Sequence, residues 1–449
     1  METDINGSEN SAPMEGRGQR TFSLWQLFSF GVLTTPLAMG GLAMVMYLPT
    51  FYAIDMGLGL GLVGAVFVAG RLFDILTDPL VGHWSDETRS RFGPRKPWMM
   101  AGVIGFSLSV CFFFSPPPGA GLGYLILTSG LYFLFYTILD VPYSSIGLEV
   151  SPHVHERSML ASSKALFQVV GAISAAAIPF LLTLSIADSL DMIAKIIIGL
   201  SAIGFVMFLL FVPNRQRVVT APRLGLLAAL KAVLKRRRYR YLIGTFLIIQ
   251  TANSFVAGLT VLHVTYIIGA PDLVGMFLGI LLLSSALFLP LWVILSKRYD
   301  KKKSWMVSIV TCILVLALTP LLGENDVLGA AIFCFIIGGA FGCDAIMPTS
   351  MLADIVYEQE QGGESRLGGL YLAVKNAVSK LSFVAPMGLA FPVLGYIQFE
   401  KLGVSEPGSK MIFLTFYAAL PILLRLAALY VLTKAPDFTT APMAETSEP

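Results

Sequence analysis

This sequence predicts an all-α membrane protein of about twelve transmembrane helices, arranged as two pseudo-symmetric six-helix bundles. Three observations lead there. Hydrophobic residues make up 55% of the 449 and charged residues only 13%, against ~25% charged in an ordinary soluble domain, and the mean hydropathy is +0.75. About twelve windows stay apolar over the ~20 residues that a helix needs to cross the hydrocarbon core, and the short alternating strands of a membrane barrel are absent. The motifs that follow the second window and fill the fourth return, in the same order, after the eighth and in the tenth.

Residues 1–22, METDINGSENSAPMEGRGQRTF, contain no apolar stretch and read as a disordered tail without a cleaved signal. Residues 23–213 supply six apolar windows, a basic linker follows at 214–240, and residues 241–433 supply six more before a loose tail at 434–449. Lys and Arg gather on alternate loops: Arg89, Arg91, Arg95 and Lys96 after the second window, Arg157 after the fourth, RRRYR after the sixth, and Lys297 to Lys303 after the eighth. The opposite loops hold only Lys195, Lys401 and Lys410. That bias puts both termini in the cytoplasm, and a plasma (inner) membrane is the expected location. It also accounts for RRRYR, so no nucleic-acid partner is expected. The cysteines and histidines are scattered, which predicts neither disulfide nor metal site, and no phosphate-binding Gly-Lys loop is present, so an enzyme is not expected.

The repeats are specific. GHWSDETRSRFGPRKPWM (82–99) and WVILSKRYDKKKSWM (292–306) share a Trp, a Ser leading into an Asp-bearing turn, a basic cluster and Trp-Met. ILDVPYSSIGLEV (138–150) and CDAIMPTSMLADIV (343–356) each set an Asp shortly before a Pro with a Ser two residues beyond. Six-plus-six parallel repeats with a site between the halves are transporter architecture, and the two prolines would kink their helices and free carbonyls for a cavity.

Charge inside the second window demands a reason, because a charge at the bilayer centre costs about 2.5–3.5 kcal/mol on insertion scales. In RLFDILTDPL, Arg71, Asp74 and Asp78 stand three and four apart, on one helical face about one turn from each other. Two such carboxylates cannot both stay charged and dry without a positive partner. Arg71 offers one charge, leaving a carboxylate to hold a cation or a proton; the alternative is an ion-pair network that fastens the helices. The Gly-rich stretches GLGLGLVG and GGAFG read as close-packing surfaces between moving helices.

GHWSDETRSRFGPRKP resembles the signature between spans two and three of the major facilitator superfamily. The longer segments GRLFDILTDPLVGHWSDETRSRFGPRKPWMMAG, YTILDVPYSS, ADIVYEQEQGGESRLGGLY and GLYLAVKNAVSK are similar to a narrower branch, the glycoside–pentoside–hexuronide:cation symporters that include melibiose permeases. The resemblance runs over residues 24–433. It implies that Asp74 and Asp78 bind the coupling cation together with Thr137, and with Thr77 where sodium-using relatives carry Asn; proton, sodium and lithium stay open. It implies that Asp140 accepts hydrogen bonds from solute hydroxyls, with Tyr136, Ser144 and Lys164 around it. Lys375 aligns with the lysine that counters the aspartates when the cation is absent, whereas Lys380, on another face, is given no role. Three positions depart from the sugar carriers: Ser144 replaces a ring-stacking tryptophan, Lys164 an arginine, and TTPLAMGG lacks an aspartate.

Two readings stay open for some residues. Asp140 contacts solute or pairs with a cation from a neighbouring span. Asn253 and Asp344 contact solute from the second half or make helix–helix hydrogen bonds. Gly82, Asp86, Arg89, Arg95 and Lys96 form a cytoplasmic gate whose charges pair across the halves in the outward-facing state and separate on opening, or charges that only fix topology. The expected function is cation-coupled symport of a small polar solute, of the sugar or glycoside class, by a monomer with no cofactor and only solute and lipid as partners. An amphipathic solute such as a lysophospholipid is the alternative, and a non-transporting receptor or assembly factor a third reading.

Overall fold

The computed structural model describes residues 22–150, 154–182, 185–212, 231, 234–361, 368–399 and 407–436. The N-terminal tail, most of the 214–240 linker and nearly all of the C-terminal tail lie outside them. Twelve helices are long and apolar enough to cross a membrane. In the first half they are α1 (Leu24–Met46), α2 (Leu60–Glu87), α3 (Lys96–Phe114), α4 (Leu122–Gly147), α5 (Met159–Pro179) and α6 (Ile186–Phe211). In the second they are α7 (Arg237–Ile268), α8 (Pro271–Tyr299), α9 (Lys301–Leu321), α10 (Val327–Val356), α11 (Ala373–Tyr396) and α12 (Gly408–Lys434). No strand occurs among the described residues.

Local chemistry sets several ends. Ser23 and Gln26 cap α1 reciprocally, each side chain bonding the other's backbone N–H, at 3.2 and 3.0 Å. Asp300, at φ 90°, accepts from the Lys301 N–H at 2.7 Å and opens α9. Pro142 and Pro348 lie inside continuous helices, α4 and α10. Each removes one backbone donor, so the carbonyls of Ile138 and Asp344 lose their intrahelical partner.

The twofold repeat is visible in which helices touch. In the first half α1 packs on α5 and α6, α2 on α4, and α3 on α4 and α6. In the second half α7 packs on α11 and α12, α8 on α10, and α9 on α10 and α12. Between the halves, α2 meets α11 and α5 meets α8, two contacts that the same pseudo-twofold exchanges. Large apolar side chains such as Leu76, Ile104, Leu108, Leu283 and Leu287 stay exposed on the outer surface, as lipid-facing residues do.

The halves close against each other at the end opposite the basic loops. There α2 and the last turns of α11 approach so closely that a Cβ on Gly64 would stand 2.5 Å from the Met387 carbonyl oxygen, and one on Gly395 2.7 Å from the Gly61 nitrogen. The aromatic segment that follows α1 is buried here, with the Tyr52 hydroxyl donating to the Phe113 carbonyl at 2.9 Å. Phe51 and Tyr52 are therefore core residues of the closed end. GGAFG packs within its own half, where the Gly339 carbonyl accepts from Trp292 Nε1 at 2.7 Å.

Candidate functional site

Helix α2 carries Arg71, Asp74 and Asp78 on one face, toward α4 and α11. The Arg71 guanidinium donates to Asp74 Oδ2 at 3.1 Å and sits 5.4 Å from the centre of the Phe133 ring. Thr137 on α4 donates to Asp74 Oδ1 at 2.7 Å and lies 3.3 Å from Asp78 Oδ1. The remaining charge comes from the other half of the protein. Lys380 on α11 places its ammonium 2.9 and 2.7 Å from the two oxygens of Asp78 and 3.1 Å from Asp74 Oδ2. Two carboxylates thus face two cations, and the charge sums to zero.

Exposure separates the two acids. Asp74 is fully buried, while the side chains of Asp78 and Lys380 keep 29% and 20% of their accessible surface. Asp74, with Arg71 and Thr137, is therefore the buried part of the site, and Asp78 with Lys380 the partly exposed part. Thr77 is buried and spends its hydroxyl proton on the Asp74 carbonyl at 3.1 Å, within its own helix. It makes no hydrogen bond to either carboxylate among the described residues.

Lys375 is not the counter-charge. It sits about 140° round α11 from Lys380, since five residues advance a helix by one turn and two-fifths. Its ammonium lies over the Phe246 ring of α7, 5.1 Å from the centroid. Lys380, for which the sequence suggested no role, holds that position. Both lysines are in one apolar run and only the packing of α11 against α2 distinguishes them.

Beside the pair lies a second polar group, on α4 and α5. Lys164 donates to Asp140 Oδ1 at 3.0 Å and to Ser144 Oγ at 2.6 Å, and the Ser144 hydroxyl lies 3.2 Å from the same carboxylate oxygen. The Tyr143 ring supports the ammonium at 4.8 Å, and its hydroxyl is tied to the Phe30 carbonyl at 2.6 Å. Asp140 thus pairs with a neighbouring cation through one oxygen and keeps Oδ2 without a hydrogen bond among the described residues. Tyr136 packs on Tyr132 and Phe106 one turn earlier, its hydroxyl likewise without a hydrogen bond among the described residues.

Asn253 and Asp344 do not join this site. They meet inside the second half with Arg425 of α12, which the sequence reading passed over. Arg425 donates to Asn253 Oδ1 and, at 3.1 Å, to Asp344 Oδ2; Asn253 Nδ2 reaches that same oxygen at 3.1 Å. Trp305 Nε1 donates to Asp344 Oδ1 at 3.0 Å. Arg425 is fully buried and Asp344 almost so, so of the two readings the helix–helix one describes them. An arginine amid LPILLRLAALYV was the available signal.

At the basic end, Asp86 and Arg95 pair at 2.6 Å within the loop of the first half, and Lys301 pairs with Asp354 at 2.5 Å within the second. Gly82 faces Val141, and Arg89 is exposed. Lys96 opens α3. The pairing across the halves is expected with the basic end closed; here, with the opposite end closed, Asp86 pairs within its own half.

Two bundles related by a pseudo-twofold, meeting at an intramembrane set of matched charges, define a membrane transporter of the major-facilitator fold and not an enzyme. Residues 28–436 match the family described as MFS/sugar transport protein, and the chain belongs to it. It is 25% identical over 414 residues to a putative glycoside/cation symporter of Escherichia coli, YagG, covering 88% of each chain. It is 24% identical over 412 residues to the sodium-dependent lysophosphatidylcholine symporter 1 of Gallus gallus, covering 80% of this chain and 76% of that one. Among solved structures, a D-xylose–proton symporter superposes with a TM-score of 0.67 at 14% identity, over 92% of this chain and 98% of the other. The nucleoside transporter NupG superposes with a TM-score of 0.63 at 17% identity, over 92% and 100%. These likenesses carry the fold.

Proposed function

We propose that the protein is a cation-coupled symporter of a small polar solute, of the sugar or glycoside class, working by alternating access from the plasma membrane with its basic end and both termini in the cytoplasm. The observation that carries the proposal is Lys380, an ammonium of the second half seated on Asp78 and Asp74 of the first. It occupies the place that a coupling cation would take. Arrival of a sodium, lithium or proton supplies the same charge, frees Lys380 and with it the α2–α11 contact. Each positive charge moved inward gains about 2.3 kcal/mol per 100 mV, enough to concentrate a solute tens of times.

Solute would bind beside this switch. Asp140 Oδ2 and the Tyr136 hydroxyl are the unspent polar atoms there, and a carboxylate oxygen can accept from a hydroxyl while Lys164 holds its partner. The named activity of the relative YagG supports this class. A second reading, an amphipathic solute, is favoured by Ser144, which leaves no flat ring for a sugar to stack on, and by the lysophosphatidylcholine relative. The test is Asp78→Asn in reconstituted vesicles. Cation-driven uptake should vanish while expression and folding stay normal; uptake at the wild-type rate would sink the proposal.

A further inference from the structure

The contact between α2 and α11 changes character along its length. At the closed end it is backbone on backbone, Gly61 beside Gly395 and Gly64 beside Met387. One turn nearer the middle, Val68 lies against Gly388, where a Cβ would stand 3.3 Å from its methyl group. Further on, Lys380 grips Asp78 and Asp74. Arg71 stands between the dry part and the charged part, three residues and ~4.5 Å of helix from Asp74 toward the closed end.

A second contact crosses the halves at Arg71. Its guanidinium carbon lies 5.9 Å from the ring centre of Phe383 on α11 and 5.4 Å from that of Phe133 on α4. Its Nη2 lies 3.4 Å from the Met44 sulfur of α1. Phe133 has no room to swing away, being 1% exposed and fitted to Gly70, where a Cβ would meet its ring at 2.3 Å. Asp74 thus holds the guanidinium from its own helix, and two aromatic rings, one from each half, hold it by their π faces.

Helix α11 is jointed at the same level. Pro386 has no N–H to offer the Ser382 carbonyl, regular helix stops at Ser382, and Pro386–Ala390 make a π-helical turn. Phe383 is the first residue past that stop. Lys380 therefore belongs to one segment of α11, and the glycines packed on α2 belong to the other. The segment with Lys380 can shift off Asp78 while the packed segment stays. Once the ammonium is displaced, the layer of Met44, Arg71, Phe133 and Phe383 is what separates the carboxylates from the closed end. A fixed guanidinium repels a cation that approaches it, but only while it is kept from turning aside.

We propose that Phe383 is a sealing residue of the cation site: its ring pins Arg71 across the two halves and keeps a bound cation from crossing toward the closed end without solute. This rests on the symporter reading and adds to it the part that prevents uncoupled flow.

The experiment is cation entry into vesicles that carry the purified full-length protein and no solute. Entry is driven by an inside-negative potassium diffusion potential and read separately for sodium, lithium and protons, in wild type, Phe383→Tyr, Phe383→Leu and Phe383→Ala. Phe383→Leu keeps an apolar side chain but no ring. It should raise entry of at least one of the three cations about 5- to 30-fold, the shift that loss of one desolvated cation–π contact allows. Phe383→Ala should leak at least as much. Phe383→Tyr keeps the ring and should stay within about 2-fold of wild type. A leucine variant as tight as wild type overturns the proposal, because any apolar plug then suffices, and so does a tyrosine variant that leaks like leucine.

Melting temperatures of the same variants, with and without each cation, show whether the site beneath is intact, since a cation bound to the folded state raises them by mass action. The rise should match wild type in the leaking variants; a leak that comes with its loss is damage to the site and overturns the seal. The thermal shift also keeps the two readings apart. If no cation stabilises wild type, or the effect survives unchanged in Asp78→Asn, the symport reading fails, while entry in Phe383→Leu against Phe383→Tyr still decides the seal.

Discussion

Replacing Lys380 by Gln should tighten cation binding while stopping transport. The ammonium lies 2.7 Å from Asp78 Oδ2 and 3.1 Å from Asp74 Oδ2. At an effective dielectric of ~20 each of those separations is an attraction of about 5–6 kcal/mol, most of it offset by desolvation of the ions. Removing one partner of a fully buried pair costs about 3–5 kcal/mol. Asp78 and Lys380 keep 29% and 20% exposure, so water screens the pair and ~2 kcal/mol is the better figure. A coupling cation entering the wild-type site must displace the ammonium against that amount. In Lys380→Gln it need not, and the preferred cation should bind about 30-fold more tightly. Uptake should fall, because the emptied site has no charge to reseat before the carrier returns. Cation titrations of the melting temperature of purified protein, in sodium, in lithium and across pH, measure the first effect, and vesicle uptake the second. Affinity for all three cations unchanged or weakened would refute the idea that Lys380 stands in for the cation.

Three further outcomes follow from the same geometry. Arg425→Met strips the buried Asp344 of its cation and should lower unfolding stability by about 3–5 kcal/mol, with most of it restored when Asp344→Asn is added; thermal unfolding of the single and double variants checks this. Gly64→Val puts a Cβ against the Met387 carbonyl, a rigid backbone atom, and should weaken the closed end by ~1–3 kcal/mol. Hydrogen exchange of amides 60–67 should then rise ~10- to 100-fold, but not in Gly199→Val, where a Cβ meets nothing within 4 Å. Asp86→Asn should cost ~1–2 kcal/mol in stability, because Asp86 is half-exposed while the Arg95 guanidinium it holds is buried, and no measurable loss would make the pair a surface contact only.

Local rules made much of this protein legible from its sequence. A crossing helix needs a long apolar run, so twelve runs announce twelve spans wherever they pack. Helical spacing alone sets Arg71, Asp74 and Asp78 on one face. The Gly57–Gly64 stretch reads as a packing surface because only glycine lets two backbones approach, and Gly61 and Gly64 are where the halves touch. Repeat motifs imply repeated bundles, and the matched helix neighbours follow.

Partnership between distant residues is another matter, because it depends on which faces meet. Lys375 and Lys380 differ by five positions in one apolar run, yet 140° of rotation sends one to the Phe246 ring and the other to carboxylates some 300 residues away. Asn253 and Asp344 look like cavity residues until Arg425 and Trp305 consume their polar atoms. Asp140 carries the same aspartate in either reading; the packing of α5 beside α4 is what delivers Lys164 to one of its oxygens and leaves the other unspent. The sequence by itself determined the helices, their repeat and the acids within them, because periodicity and hydropathy act over a few residues. Tertiary structure alone decided which cation answers each acid, because a charge in a low-dielectric interior is settled by whatever side chain the fold brings within about 3 Å.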